Sequence, residues 1–239
     1  MAVQLAQAAV YSKPDSQDAF ALRQVFQSIH AESCPTSYNF HMHTFCSDGQ
    51  LHPEQLMHQV ISIGLKGFAI TDHHTVDGYL QAQRWLDQWR RRQLQDESCY
   101  PLPQLWTGVE VTSKLLNTEV HILGYAFDPD SLYMQPYLQH QTPIGERAEA
   151  DLVIGAIHAA GGLAVLAHPV RYRRSPEELT AAAVDLGIDG IETFYAYNNP
   201  DPWRPSPEQT QRMQVLSSAY QLLNTCGTDT HGLSLLQRL

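Results

Sequence analysis

The sequence predicts an α/β fold with parallel strand pairing, arranged as a doubly wound sheet or a barrel. Three observations predict it. Apolar strand-like runs alternate with stretches of helical periodicity from about residue 38 onward. The 239 residues fit one large domain, in the range of single α/β barrels, or two small ones. A hydrophobic content of 43% against 17% charged is enough to bury a sizeable core.

The elements follow in chain order. Residues 1–16 are small and polar, include Pro14 and Asp15, and read as a loose stretch. The segment DAFALRQVFQSIH, 18–30, spaces Phe20, Leu22, Val25, Phe26 and Ile29 as one face of a helix packed on the main body. YNFHM, 38–42, reads as a strand. PEQLMHQVISIGL, 53–65, reads as a helix opened by Pro53 and closed near Gly64. KGFAIT, 66–71, is a strand and 76–95 a long helix. QLWTGVEVT, 104–112, and EVHILGYAF, 119–127, are strands across a short link. A helix over 146–160, a buried strand over 161–167 and a helix over 175–187 come next, the last with Ser175 as N-cap and Pro176 in its first turn. A strand over 188–195, a helix over 206–221 and a strand over 222–229 bring the total to about seven strands. The expected division is an N-terminal extension with one helix, 1–37, and a main domain, 38–239.

Ionisable residues collect at the strand ends. His41 and His43 close the first strand, and Asp72 and His73 the second. Glu110 sits late in the third and His121 in the fourth. His168 follows the fifth, Glu192 lies in the sixth, and Asp229 and His231 follow the last. A single histidine near a strand end is usually structural, and a single aspartate there is usually a cap or turn former. The set is different, because burying so many ionisable groups at one rim is costly unless they pair or bind cations. Imidazole with carboxylate, without thiolate clusters, suits Zn, Mn or Fe, and shared carboxylates point to about two to three ions. Cys46 as a soft ligand fits that donor set poorly.

Charge and composition exclude several functions. A formal net charge of −10 repels a nucleic-acid backbone and argues against a broad duplex-binding groove. No run approaches the roughly 18 apolar residues of a membrane helix. The start, MAVQLAQAAVYSK, lacks the basic region and long apolar core of a signal peptide. Cys34, Cys46, Cys99 and Cys226 are scattered, which fits reduced thiols and a cytoplasmic protein.

The runs HMHTFCSDG, ITDHHTVDG, GVEV, VHILGY, LAVLAHP, GIDGIETF and GTDTHG, in that order from Asn39 to Gly232, resemble the motifs of the PHP (polymerase and histidinol phosphatase) family, and most of all its stand-alone phosphoesterases. The resemblance implies a distorted (β/α)7 TIM-like barrel holding a trinuclear centre. One metal would take His41, His43, Glu110 and Asp229, and a second His121 and His168 with Glu110 bridging. A third would take Asp48, His73 and His231, which stand nearest the chemistry as the expected catalytic residues. Arg171, in HPVRYRRS, is the expected phosphate contact. Two departures stand out. Asn39 and His74 occupy positions where relatives often carry Asp. The link from Ala126 to about Glu149 also lacks a long helical insertion common in the family, which implies a more open pocket.

The implied activity is hydrolysis of a small phosphomonoester by metal-activated water, with a nucleotide such as a nucleoside 3′,5′-bisphosphate among the candidates and no duplex nucleic acid or membrane as partner. The alternatives are an exonuclease on short oligonucleotides, a histidinol-phosphatase-like enzyme and a non-catalytic metal-binding module. An amidohydrolase-type barrel fits less well, because no lysine stands at a middle strand end. Oligomeric state is not legible. Arg90, Arg91 and Arg92 read as surface charge. Tyr195 and Tyr197 read equally as packing or as a platform for a ring. His30, His52, His58, His140 and His158 match no rim position.

Overall fold

The computed structural model describes residues 15–95 and 102–239. Most of the stretch expected to be loose, and Cys99, lie outside the described residues. Its described part is packed: Asp15–Gln17 forms a 3-10 turn, Ser16 is buried, and the Ser16 carbonyl accepts the Thr107 N–H at 3.0 Å.

The α/β reading holds, but the strands form two sheets rather than one closed barrel. The first sheet is parallel, in the order β1 (Tyr38–Asn39), β2 (Gly67–Ala69), β3 (Gln104–Trp106). The second runs β4 (Gly108–Leu115), β5 (Thr118–Tyr125), β6 (Leu163–Leu166), β7 (Gly190–Phe194), β8 (Leu223–Cys226). There β4, β5 and β6 pair antiparallel, and only β6, β7 and β8 are parallel. The cause is local. Leu116 and Asn117 join β4 to β5 with both residues in the left-handed region, at φ 50° and 57°. That is a two-residue hairpin of the twist-matched kind, and it is too short for a parallel crossover.

The expected strand over 104–112 is two strands. It breaks at Thr107, whose N–H is drawn to Ser16 and whose carbonyl takes the Ala126 N–H at 2.9 Å. Single bridges then connect the sheets, Met42 to Thr230 on one side and His73 to Glu110 on the other. The first strand also ends early, at Asn39. Beyond it Phe40 and His43 donate to the carbonyls of Cys226 and Thr230, and Met42 accepts from Thr71. The backbone carrying the His-x-His pair is thus fastened to both sheets.

Helices α2 (Pro53–Ile63), α3 (Asp77–Gln95), α4 (Ala150–Ala159), α5 (Pro176–Asp185) and α6 (Pro207–Tyr220) cover the sheets. Gly64 caps α2 at φ 80°, and the Ser175 hydroxyl accepts from Glu178 N–H at α5, as the sequence predicts. The helix expected over 146–160 begins only at Ala150, because Gly145–Ala148 forms a 3-10 turn. No helix among the described residues is long and apolar enough to cross a membrane.

Helix α1 (Ala19–Gln27) is capped by Asp18, whose carboxylate accepts the Ala21 N–H at 2.9 Å. Its buried face, Leu22 and Phe26, joins a core cluster with Phe40, Trp106, Tyr125, Leu163 and Phe194. The Phe26 ring meets Phe40 edge-on at 4.9 Å and Tyr125 at 5.4 Å. The helix is thus packed into the core of the main body. Phe26→Ala should lower unfolding free energy by about 3–5 kcal/mol in urea denaturation. A loss under about 1 kcal/mol would show that α1 is dispensable.

Candidate metal centre

Glu110, third residue of β4, is 1% exposed and receives five imidazoles. Its Oε2 lies 3.0 Å from His41 Nε2, 3.1 Å from His43 Nε2 and 3.6 Å from His73 Nε2. Its Oε1 lies 2.7 Å from His121 Nδ1 and 3.3 Å from His168 Nε2. These histidines come from the ends of β1, β2 and β6 and from β5, so four parts of the chain meet on one carboxylate.

Asp229, just beyond β8, closes the opposite side. Its Oδ1 faces His41 Nε2 at 3.4 Å and His43 Nε2 at 3.3 Å. Its Oδ2 accepts from Tyr195 OH at 2.6 Å, Arg238 Nε at 2.8 Å and Arg171 Nη1 at 3.0 Å. Asp229 and His168 both hold left-handed backbone, at φ 54° and 27°, which a side chain other than glycine adopts only under constraint. The constraints are visible: Asp229 N–H donates to the His41 carbonyl, and His168 N–H to Glu192 Oε2. Gly227 packs directly on the His41 Cβ, where any side chain would collide.

Asp48 is half exposed and forms the outer corner, 3.2 Å from His231 Nε2, 3.5 Å from His43 Nδ1 and 3.7 Å from His73 Nε2. Asp72, which the ligand assignment leaves out, shapes its loop by accepting Thr44 N–H at 2.6 Å and the Ser47 hydroxyl at 2.8 Å. Three sets of side chains could each hold a cation: His41, His43, Glu110 and Asp229; His43, Asp48, His73 and His231; and His73, Glu110 and His121.

The residues fit a metal centre on grounds of their own. Both ring nitrogens of His43 and the Nδ1 atoms of His73 and His168 are buried without a hydrogen-bond partner among the described residues. Unmet buried nitrogens are costly, and the two of His43 face oxygens of Asp48, Glu110 and Asp229, where a cation would satisfy them; at His73 and His168 it is Nε2 that faces the carboxylates. Electrostatics agree. Burial opposes the charged form of every group here. The carboxylates of Glu110, Glu192 and Asp229 nonetheless push His41 up, and Asp229 and Glu110 push His43 up to about 9. Glu110 and Asp229 are in turn held well below the usual carboxylate range despite burial, by His41 and His121 and by His41 and His43 respectively. Burial wins at His73 and His74, pushed down to about 4, and lowers His168.

A model of the PHP domain matches residues 39–185, more than half of the chain. The chain belongs to the PHP domain family. A 5′-3′ exoribonuclease Rnm of Salmonella typhimurium is 31% identical over 265 residues, covering 81% of this chain and 85% of the relative. A 5′-3′ exoribonuclease of Haemophilus influenzae is 23% identical, covering 81% and 89%. A crystal structure assigned as a metal-dependent phosphoesterase, from Bifidobacterium adolescentis, matches the fold with a TM-score of 0.64 and 24% identity, covering 83% of this chain and 89% of that one.

In this PHP fold the nine residues singled out as ligands lie around one site, though His73 stands among the atoms near Glu110 and His121 as well as near Asp48. Arg171 is the expected phosphate contact. In the structure its Nη1 bonds Asp229 Oδ2 and Tyr195 OH, and its side chain is 41% exposed. Tyr195 is a partner of Asp229, and Tyr197 OH accepts from Val170 N–H. His74, where relatives often carry Asp, is buried, with Nε2 3.1 Å from Thr112 Oγ1. His140, dismissed in the sequence, lines a cavity of about 520 Å³ with Asp48, His73, His74, His121 and Thr142. The sequence reading missed three supports: Glu192 on His41 Nδ1 at 3.0 Å, Tyr172 OH accepting from His121 N–H at 2.8 Å, and Arg238. Glu192, within a strand, is named in the sequence as one of the collected ionisable residues but without this role. Arg238 carried no signal.

A pH profile follows for protein held in chelator. His43 binds its proton more tightly when folded. It adds stability that is full below its ordinary 6.5 and is lost as pH rises through about 9. His73 and His74 resist protonation in the fold and subtract stability as pH falls from 6.5 toward about 4. The urea midpoint should therefore peak near pH 6.5 and fall on both sides. A midpoint rising steadily from pH 6.5 to 9 contradicts this balance.

Proposed function

We propose that this chain is a metal-dependent phosphoesterase whose substrate is the 5′ end of short RNA. The observation that carries the hydrolase assignment is the convergence of imidazoles and carboxylates on buried Glu110, beside a cavity open to solvent through Asp48. His41, His43, Glu110 and Asp229 would hold one divalent ion, His121 and His168 with Glu110 a second, and Asp48, His73 and His231 a third. Mn, Zn or Fe at about two to three per chain fit this donor set. Such ions supply an activated water and neutralise phosphate oxygens. Asp48 and His73 line the cavity, and His231 Nε2 lies 3.2 Å from Asp48, so these three are the residues we assign next to the reacting phosphate. Arg171, paired with Asp229 and with a side chain 41% exposed, is the residue we assign to orient a phosphate oxygen. His74, with burial holding it neutral, shapes the wall rather than delivering a proton.

The names of the Salmonella and Haemophilus relatives support RNA as substrate. The Salmonella alignment runs to 265 residues while taking in only 81% of this chain, so that relative carries additional residues inside the aligned region. Their absence here supports a pocket with less cover. The second reading, a small phosphomonoester such as a nucleoside 3′,5′-bisphosphate, is favoured by the −10 net charge and a cavity of about 520 Å³.

A 5′-phosphorylated RNA of about five nucleotides and a nucleoside 3′,5′-bisphosphate, each incubated with Mn-replete protein, separate the two. We expect the RNA to shorten from its 5′ end. His43→Ala should slow this by more than about 100-fold, beyond the loss usual for a residue that only supports a ligand. Hydrolysis of the bisphosphate with RNA untouched favours the second reading. No hydrolysis of either contradicts the phosphoesterase assignment.

A further inference from the structure

The segment 232–239 folds back over the loop that carries Asp229 and His231. The His231 and Gly232 N–H groups donate to the Arg238 carbonyl at 2.7 and 3.2 Å, and the Thr230 hydroxyl donates to the Gln237 carbonyl at 2.8 Å. Leu235 is fully buried, and its N–H donates to Gln59 Oε1 at 2.9 Å. Asn39 completes the fastening. Its amide nitrogen donates to Thr228 Oγ1 at 2.9 Å and to the Leu235 carbonyl at 3.3 Å, while its oxygen accepts the Thr228 N–H at 3.1 Å. An ionised aspartate there could accept but not donate. The departure at this position therefore has a local use: it holds the strap against β1.

The strap brings one side chain to the site. Arg238 Nε donates to Asp229 Oδ2 at 2.8 Å, with the side chain 23% exposed. Asp229 needs such a restraint more than most carboxylates. Its backbone is left-handed, and only its Oδ1 faces His41 and His43. A carboxylate free to rotate would offer either oxygen and lose the shared geometry. Arg171 makes a weaker restraint, since its one contacting nitrogen is divided between Tyr195 OH and Asp229 and its side chain is more exposed.

We infer that Arg238 is a positioning residue of the metal centre: it fixes Asp229 Oδ2 so that Oδ1 stays turned toward His41 and His43, and it thereby sets how tightly the centre holds a divalent ion. The inference rests on the metal centre of the proposed function. Two effects of the guanidinium oppose one another. As a cation it repels the ion, and as a donor it orients the ligand. Orientation wins if the site behaves like others in which a hydrogen-bonded support is removed, where affinity falls roughly 10- to 100-fold. The two effects predict opposite signs, which makes the test decisive.

The full chain is titrated with Mn²⁺ against a competing chelator. Arg238→Met should bind Mn²⁺ about 10- to 100-fold more weakly than wild type, Arg238→Lys to an intermediate degree, and Arg171→Met within a few-fold of wild type. A melting curve in chelator checks that each variant folds. If Arg238→Met does not, Arg238→Lys carries the test, and Lys binding equal to wild type overturns the inference. Tighter or unchanged binding in Arg238→Met overturns it, because repulsion then dominates or the contact is idle. An equal loss in Arg171→Met overturns it as well, since no particular role would then fall to Arg238. Wild-type protein that takes up no Mn²⁺ refutes the metal centre itself, a result distinct from these.

Discussion

The rest of the structure depends on one buried carboxylate. Glu110 lies inside the protein with five imidazoles on its two oxygens. An ionised carboxylate at that depth is costly unless cations or donors surround it. The chain meets this demand from four directions, and the sheets give way to it. The continuous ladders stop at β1 and β2, and single bridges at Met42 and His73 take over where ligands must turn inward. His41 and His43, two residues apart, point the same way along extended backbone, and Glu110 meets them from within the β4 ladder.

Around this centre a second layer of residues fixes direction rather than supplying ligands. Glu192 takes His41 Nδ1 and the His168 N–H, Asp72 ties down the His43–Asp48 loop, and Tyr195, Arg171 and Arg238 share the outer oxygen of Asp229. Glu192 and the three partners of Asp229 hold candidate ligands by their far sides, the usual way a metal site is tuned, while Asp72 acts through the loop. Below the rim, the aromatic cluster of Phe26, Phe40 and Tyr125 gives the strand ends a rigid base, and the Tyr125 hydroxyl donates to the Phe40 carbonyl one residue before His41.

The candidate ligands were legible because each sits in a recognisable run and most fall at or beyond a strand end, where the apolar runs stop. The sequence hid the pairing. Nothing in the apolar pattern of EVHILGYAF distinguishes a parallel from an antiparallel neighbour. The signal lay in the link, where Leu116 and Asn117 leave room only for a hairpin. The break at Thr107 was hidden for a different reason, since it depends on Ser16, some ninety residues away in sequence. Arg238 was hidden likewise, because its meaning comes from a strap whose course is set by Asn39, Gln59 and buried Leu235. Long-range polar contacts of this kind leave no periodicity to read.

The central claim is that Glu110 is the shared carboxylate on which the metal centre is built. Elemental analysis of metal-replete wild-type protein and of Glu110→Gln, which keeps the shape and removes the charge, tests it most directly. The account predicts about two to three ions per wild-type chain and fewer than about one in the variant, with the fold intact by circular dichroism. A wild-type chain holding less than one ion, or a variant holding as many as wild type, would contradict it.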